Sequence, residues 1–206
     1  MREMTLTQLR DDLRMLLGDC ASKFAPEQLE LLLNDAAEDL ARHKPTLRRG
    51  TLTLVADTPT YTAPADLLEP RTPHWGIAER DRYQPWEDQY PKRLPTLHRV
   101  DVAGTKSLAL SPPPTAAQIG ALGAEYPYTY AITHTLSETE SETTVPPEQR
   151  WLLLLRAIAE AMLALAARGV SVPVTLGAGG NNLPKNGAPA SLADQFMKAF
   201  VAGCLA

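Results

Sequence analysis

Residues 24–68 read FAPEQLELLLNDAAEDLARHKPTLRRGTLTLVADTPTYTAPADLL, and the hydrophobic period changes partway along. Leu29, Leu32, Leu33, Ala36, Ala37 and Leu40 recur at helical spacing, which places one apolar face on a helix over 24–44. Pro26 suits a first helical turn, where a missing N–H costs nothing, and Pro45 cannot continue the helix. Residues 51–55 and 59–63 then alternate in the strand manner and predict a hairpin turning across Ala56, Asp57 and Thr58. Nothing in this stretch is a reacting group. It constrains the chain to an α+β body in which a small sheet departs from a helical bundle.

The flanking sequence extends that plan. Residues 5–17 predict a first helix, capped by Thr5 or Thr7, striped by Leu6, Leu9, Leu13, Leu16 and Leu17, and ended by Gly18. Residues 67–95 have no sustained period; Trp75, Tyr83, Trp86 and Tyr90 lie there among five prolines. Residues 97–102 and 106–110 predict a second hairpin across Ala103, Gly104 and Thr105, and Pro112, Pro113 and Pro114 end it because none can donate to a ladder. Residues 124–133 predict a strand with Tyr126, Tyr128 and Tyr130 on one face. Residues 148–168 predict a helix apolar around most of its circumference, hence buried. A glycine- and asparagine-rich arm follows, with Ser191 capping a last short helix. The expected organisation is a mainly α, α+β chain: a bundle from 1–50 and 145–169, a β-rich insertion at 51–144, and an arm at 170–206.

Charge and composition exclude several classes. The formal net charge is −4, with one basic against five acidic side chains across 111–150, so no basic patch prepares the chain to grip DNA phosphates. Cys20 and Cys204 have no metal or redox spacing and read as free thiols. No apolar run resembles a signal peptide or a membrane span, and a soluble, cytosol-made protein is expected.

Tests for chemistry find little. His43, His74, His98 and His134 lie in separate elements, with no ligand spacing for a metal. Residues 177–182, GAGGNN, lack the Gly-Lys-Ser/Thr end of a phosphate loop and read as linker. Glu138, Glu140 and Glu142 sit in a Ser/Thr/Glu loop that reads as solvated and too mobile to split carboxylate pKa values. The tyrosine face has no Lys or Arg within it and reads as cross-strand packing rather than a base-stacking platform. Trp75, Tyr83, Trp86 and Tyr90, with arginines among them, fit two readings equally, a surface loop packed on itself or a protein interface. No catalytic residue, metal site or cofactor is expected.

Taken in order, PEQLELLLNDAAEDLARHKP, the hairpin ending YTAPADLL, LALSPPPT, YPYTYA and VPPEQRWLLLLRAIAEAMLALAARG resemble the head-to-tail adaptor (connector) proteins of tailed bacteriophages. The resemblance implies a non-enzymatic structural protein of the virion neck. It implies a ring, a dodecamer in this family, that joins the portal protein to the tail and extends the channel for DNA without binding it specifically. A head-completion stopper or tail-completion protein is the alternative. The arm then reaches the portal through Leu192, Phe196, Met197, Phe200 and Val201, a face that a lone chain is expected to leave uncovered. Trp75, Tyr83, Trp86 and Tyr90 become candidates for tail-side or inter-subunit contacts; Glu138, Glu140 and Glu142 are candidates to face the channel, a solvated outer loop being equally compatible with their composition.

Overall fold

Four N–H groups at the start of any helix lack an intrahelical acceptor, and the first helix shows how this chain meets that demand. In α1 (Leu6–Leu17), Thr5 Oγ1 accepts from Gln8 N at 3.3 Å. The Leu6 and Thr7 amides turn instead to residues more than 130 positions away, the Ser137 carbonyl (2.9 Å) and the Glu138 carboxylate (3.3 Å). The computed structural model, which describes residues 4–88, 90–169 and 188–206, divides into two units. One comprises Met1–Pro45 with His134–Ala206, the other Thr46–Thr133. The acidic loop, expected with the β insertion, therefore belongs with the helices, because it caps α1.

A 3-10 turn over Gly18–Lys23 joins α1 to α2 (Pro26–His43), which ends just before Pro45 as its sequence requires. The helical core is completed by α5 (Arg150–Ala167) and α6 (Pro189–Leu205). Leu9, Leu13, Leu29, Leu33, Leu40, Leu153, Met162 and Phe200 have no solvent exposure. Each such side chain contributes about 1.5–3 kcal/mol on burial. Two ion pairs cross this core: Arg150 reaches Asp12, and Arg156 reaches Asp39 at 2.7 Å while also bonding Glu160. Arg156 is only 8% exposed, so removing either kind of partner leaves a desolvated charge.

The second unit has two three-stranded antiparallel sheets around one core. Strands β1 (Leu47–Thr53) and β3 (Leu67–Pro73) flank β6 (Glu125–Ile132), and β2 (Thr60–Thr62) and β4 (Thr96–Val102) flank β5 (Thr105–Ser111). The expected hairpin of 51–55 with 59–63 does not form. β1 pairs with β6 and β2 with β5, so its two halves enter different sheets. What links them is a side chain, since the Tyr61 hydroxyl bonds both the N–H and the C=O of Val55 at 3.2 Å. Alternation specified the strands, but pairing depended on where each buried face found a neighbour.

The β4–β5 hairpin does form, with a loop one residue shorter than expected: Val102 pairs with Thr105, leaving Ala103 (φ 49°) and Gly104 (φ 79°) at the turn. Pro70 and Pro73 fall on β3, an edge strand, where a missing donor is tolerated and the register slips twice. Residues 67–95, read as irregular, thus contain β3 and a short helix, α3 (Ile77–Arg82). A further helix, α4 (Ala116–Leu122), is capped by Thr115, whose Oγ1 accepts from Gln118 N.

Candidate functional site

The residues singled out from sequence fall into three surfaces, and packing assigns them differently from pattern. The C-terminal helix does not need another chain to cover its apolar face. Leu192 is 1% exposed and Phe200 0%, both within the helical core. The Phe200 ring meets His43 edge-on at 5.3 Å. Phe196, Met197 and Val201 are half-buried against the same core. The helix begins at Pro189, two residues before the expected Ser191 cap, with Ala188 at the N-cap position. Gly203 gives close approach: a Cβ there would lie 2.5 Å from Leu152 Cδ2. What α6 leaves outward is a shallow hollow of about 440 Å³ lined by Met197, Val201, Ala202 and Leu205 between Asp194 and Lys198. Residues 170–187 of the expected arm, including 177–182, lie outside the described residues.

Among the aromatic candidates, Trp75 is core. It is 3% exposed, donates Nε1–H to the Gly123 carbonyl at 3.0 Å and lies 5.7 Å from the Tyr126 ring. Its indole required a buried acceptor, and the turn after α4 provides one. Trp86 is 80% exposed. Tyr83 lies beneath the Arg82 guanidinium at 5.4 Å, and Tyr90 is half-buried at the edge of two cavities. One of these, of about 370 Å³, has Trp75, Tyr90 and Leu94 in its wall and Arg80, Lys92 and Arg93 around it. Lys92 and Leu94 were not singled out from sequence. The usable signal was PKRLP, in which Pro91 and Pro95, both buried, bracket two exposed cations.

The acidic loop is built rather than loose. Glu138 accepts from Thr7 Oγ1 at 2.6 Å, Glu140 from Met4 N at 3.0 Å, and Glu142 from Ser137 Oγ at 2.8 Å. Two of the three carboxylates therefore serve the start of α1, where the dipole favours negative charge. These contacts correct the expectation of a mobile loop, while the three side chains remain exposed to solvent as expected.

The tyrosine face packs as its neighbours predicted. Tyr126 and Tyr128 are each 1% exposed, and burial pushes both phenols up to about 12. The Tyr130 phenol is raised by burial and by Asp66, to which its hydroxyl donates at 3.2 Å. Burial likewise raises the Cys20 and Cys204 thiols, which disfavours the thiolate. The histidines remain apart: His74 bonds Thr129, His98 bonds Thr96 and His134 bonds Thr144.

The chain thus has two units, one cored by aliphatic helices and one by tyrosines, Trp75 and aliphatic strand residues in two sheets. The chain belongs to the SU10 adaptor protein family, whose model matches residues 4–183. That match ends before α6. No curated protein matches the chain. Among solved structures, one similar chain comes from the neck of an empty GTA particle computed with C6 symmetry; it is 13% identical, with 93% of this chain and 87% of that chain covered, at a TM-score of 0.25. A likeness that low carries nothing further.

Proposed function

We propose that this protein is a structural head-to-tail adaptor of a tailed phage, forming a ring that joins the portal to the tail and continues the DNA channel in the virion neck. The observation that carries the reading is the adaptor-family match over residues 4–183. The outward side of α6, with Met197, Val201 and Leu205, is the proposed portal contact; Leu205 is 85% exposed. Leu192 and Phe200 act behind it by seating the helix. Trp86, Tyr83 and Tyr90 are proposed at tail-side or inter-subunit contacts. Glu138 and Glu140 hold negative charge while bracing α1, and Glu142 adds to it from the same loop, which suits a wall that DNA slides past without sticking. No catalytic step is assigned to the chain.

The test is to purify the chain, mix it with the portal of the same particle and image the product. A coaxial ring on the portal is expected, and loss of that ring on Leu205→Asp with Met197→Asp would identify the contact. Failure to attach to portal, or absence from virions, would sink the reading. Deleting α6 is a poor test, because it removes Leu192 and Phe200 from the core.

A further inference from the structure

The cavity beside Trp75 has three cations and no carboxylate in its lining: Arg80, Lys92 and Arg93. The latter two stand exposed on a segment pinned at both ends. Pro91 and Pro95 are buried, and Gln118 Nε2 donates to the carbonyls of Pro91 and Arg93 at 3.4 and 3.0 Å. Lys92 is held at φ 55°, a left-handed conformation that persists only where the surroundings over-determine it. Among the described residues neither Lys92 nor Arg93 forms an ion pair, whereas Arg80 has Asp81 at 3.9 Å. Cations carried on a fixed backbone beside an apolar hollow, with Trp75 and Leu94 in its wall, suit a ligand that presents an apolar group flanked by carboxylates.

The outer side of α2 has that composition. Glu27, Leu31 and Asp35 are spaced four residues apart and all exposed, Leu31 at 60%. They form a line about 12 Å long on one helix face. Among the described residues neither Glu27 nor Asp35 forms an ion pair. Leu31 is apolar on a face where the helix needs no apolar residue, since Leu29, Leu33, Ala36 and Leu40 already supply the core.

We infer that subunits of this protein join through these two patches: Leu31 of one copy enters the cavity beside Trp75 of the next, with Glu27 and Asp35 meeting Arg80, Lys92 and Arg93. Charge complementarity favours a second copy as occupant. The helical unit has eleven basic against fifteen acidic side chains and the β unit nine against nine, so the whole excess of negative charge resides where α2 lies. The two patches differ, so their contact is head-to-tail, the kind that repeats around a closed ring rather than stopping at a dimer. Duplex DNA fits less well, because a small hollow walled by apolar side chains does not follow a row of phosphates. The inference rests on the ring reading for its partner and adds where the ring is joined.

The test is a charge swap in the full chain, read by sedimentation of the self-assembled ring and, in parallel, by attachment to portal. Lys92→Glu with Arg93→Glu, or Glu27→Lys with Asp35→Lys, is expected to weaken self-association about tenfold or more. Combining the two pairs is expected to restore it. Leu31→Gln, which leaves charge unchanged, is expected to weaken it too. Melting curves are to check that these surface variants fold, and Leu31→Gln supplies the readout if a reversed pair does not. Single-side losses with no rescue, or unaltered assembly in every variant, overturn this interface while leaving the ring reading standing. Portal attachment lost with self-association intact assigns the cavity to another protein and overturns the inference. A wild-type chain that stays monomeric with and without portal overturns both.

Discussion

The helical and β units bury their cores by opposite means. The helices use many small and aliphatic side chains: Leu153, Ala157, Ile158, Ala161, Met162 and Leu165 line α5 and are all 2% exposed or less. The β unit sets four large aromatic side chains among its aliphatic ones, and three of the four tie a polar tip to a fixed partner. Trp75 donates to Gly123, Tyr126 donates to the Pro95 carbonyl at 3.1 Å, and Tyr130 donates to Asp66. An aliphatic core depends on volume, whereas an aromatic core with polar tips depends on volume and on acceptors in fixed places. The first tolerates volume-conserving exchange generally, and the second only where the exchanged side chain has no polar partner to lose.

The sharpest way to break this contrast is Phe200→Ala, which empties the helical core at a fully buried site. A loss of about 3–5 kcal/mol is expected by chemical denaturation. Hydrogen exchange should quicken in α5 and α6 while β6 amides stay protected. Equal loss in β6 would show that the units do not behave separately.

Alkali should act on the other unit. The ordinary phenol value of 10 is raised to about 12 in folded Tyr126 and Tyr128, so both hold their protons more tightly folded than unfolded. Their contribution is whole below pH 10 and is lost as pH climbs toward 12, at most roughly 2–3 kcal/mol for each. Tyr128→Phe removes one titrating group, and its unfolding midpoint in alkali should shift to higher pH. An unchanged midpoint would contradict the assigned cause.

Gly50→Val tests volume within the aromatic core. A Cβ at Gly50 would meet Tyr128 Cζ at 2.6 Å, and a cost of about 1–3 kcal/mol is expected, with faster exchange in β1 and β6 only. Smallest is Glu138→Gln, which keeps an acceptor for the Thr7 amide but removes the negative charge at the start of α1. About 0.3–1 kcal/mol should be lost, less in high salt. A larger loss would mean that the loop does more than cap.

How far each unit was legible in sequence follows from the same contrast. Helix α2 was legible nearly to its ends, because Pro26 and Pro45 punctuate it and Leu29 through Leu40 mark a single face. The β4–β5 hairpin was legible because its turn is local. The pairing of β1 with β6 was not, since Leu52 faces Tyr126 across more than 70 residues of chain and alternation does not name a partner. Of the candidate residues, Trp86 stands exposed as its setting suggested, while Trp75, equally prominent in sequence, is buried. Two tryptophans eleven positions apart in a proline-rich stretch look alike until one finds Gly123.

Residue order alone therefore settled the local matters: where the well-punctuated helices α1 and α2 lie, which segments alternate as strands, and that no familiar catalytic spacing is present. These depend on backbone geometry and on neighbours within a few positions. Tertiary structure alone decided that α6 covers its own Phe200, that the acidic loop caps α1, and that Arg80, Lys92 and Arg93 gather around one hollow. Those outcomes turn on which distant groups become neighbours, and burial and hydrogen-bond satisfaction select them across the whole fold of each unit.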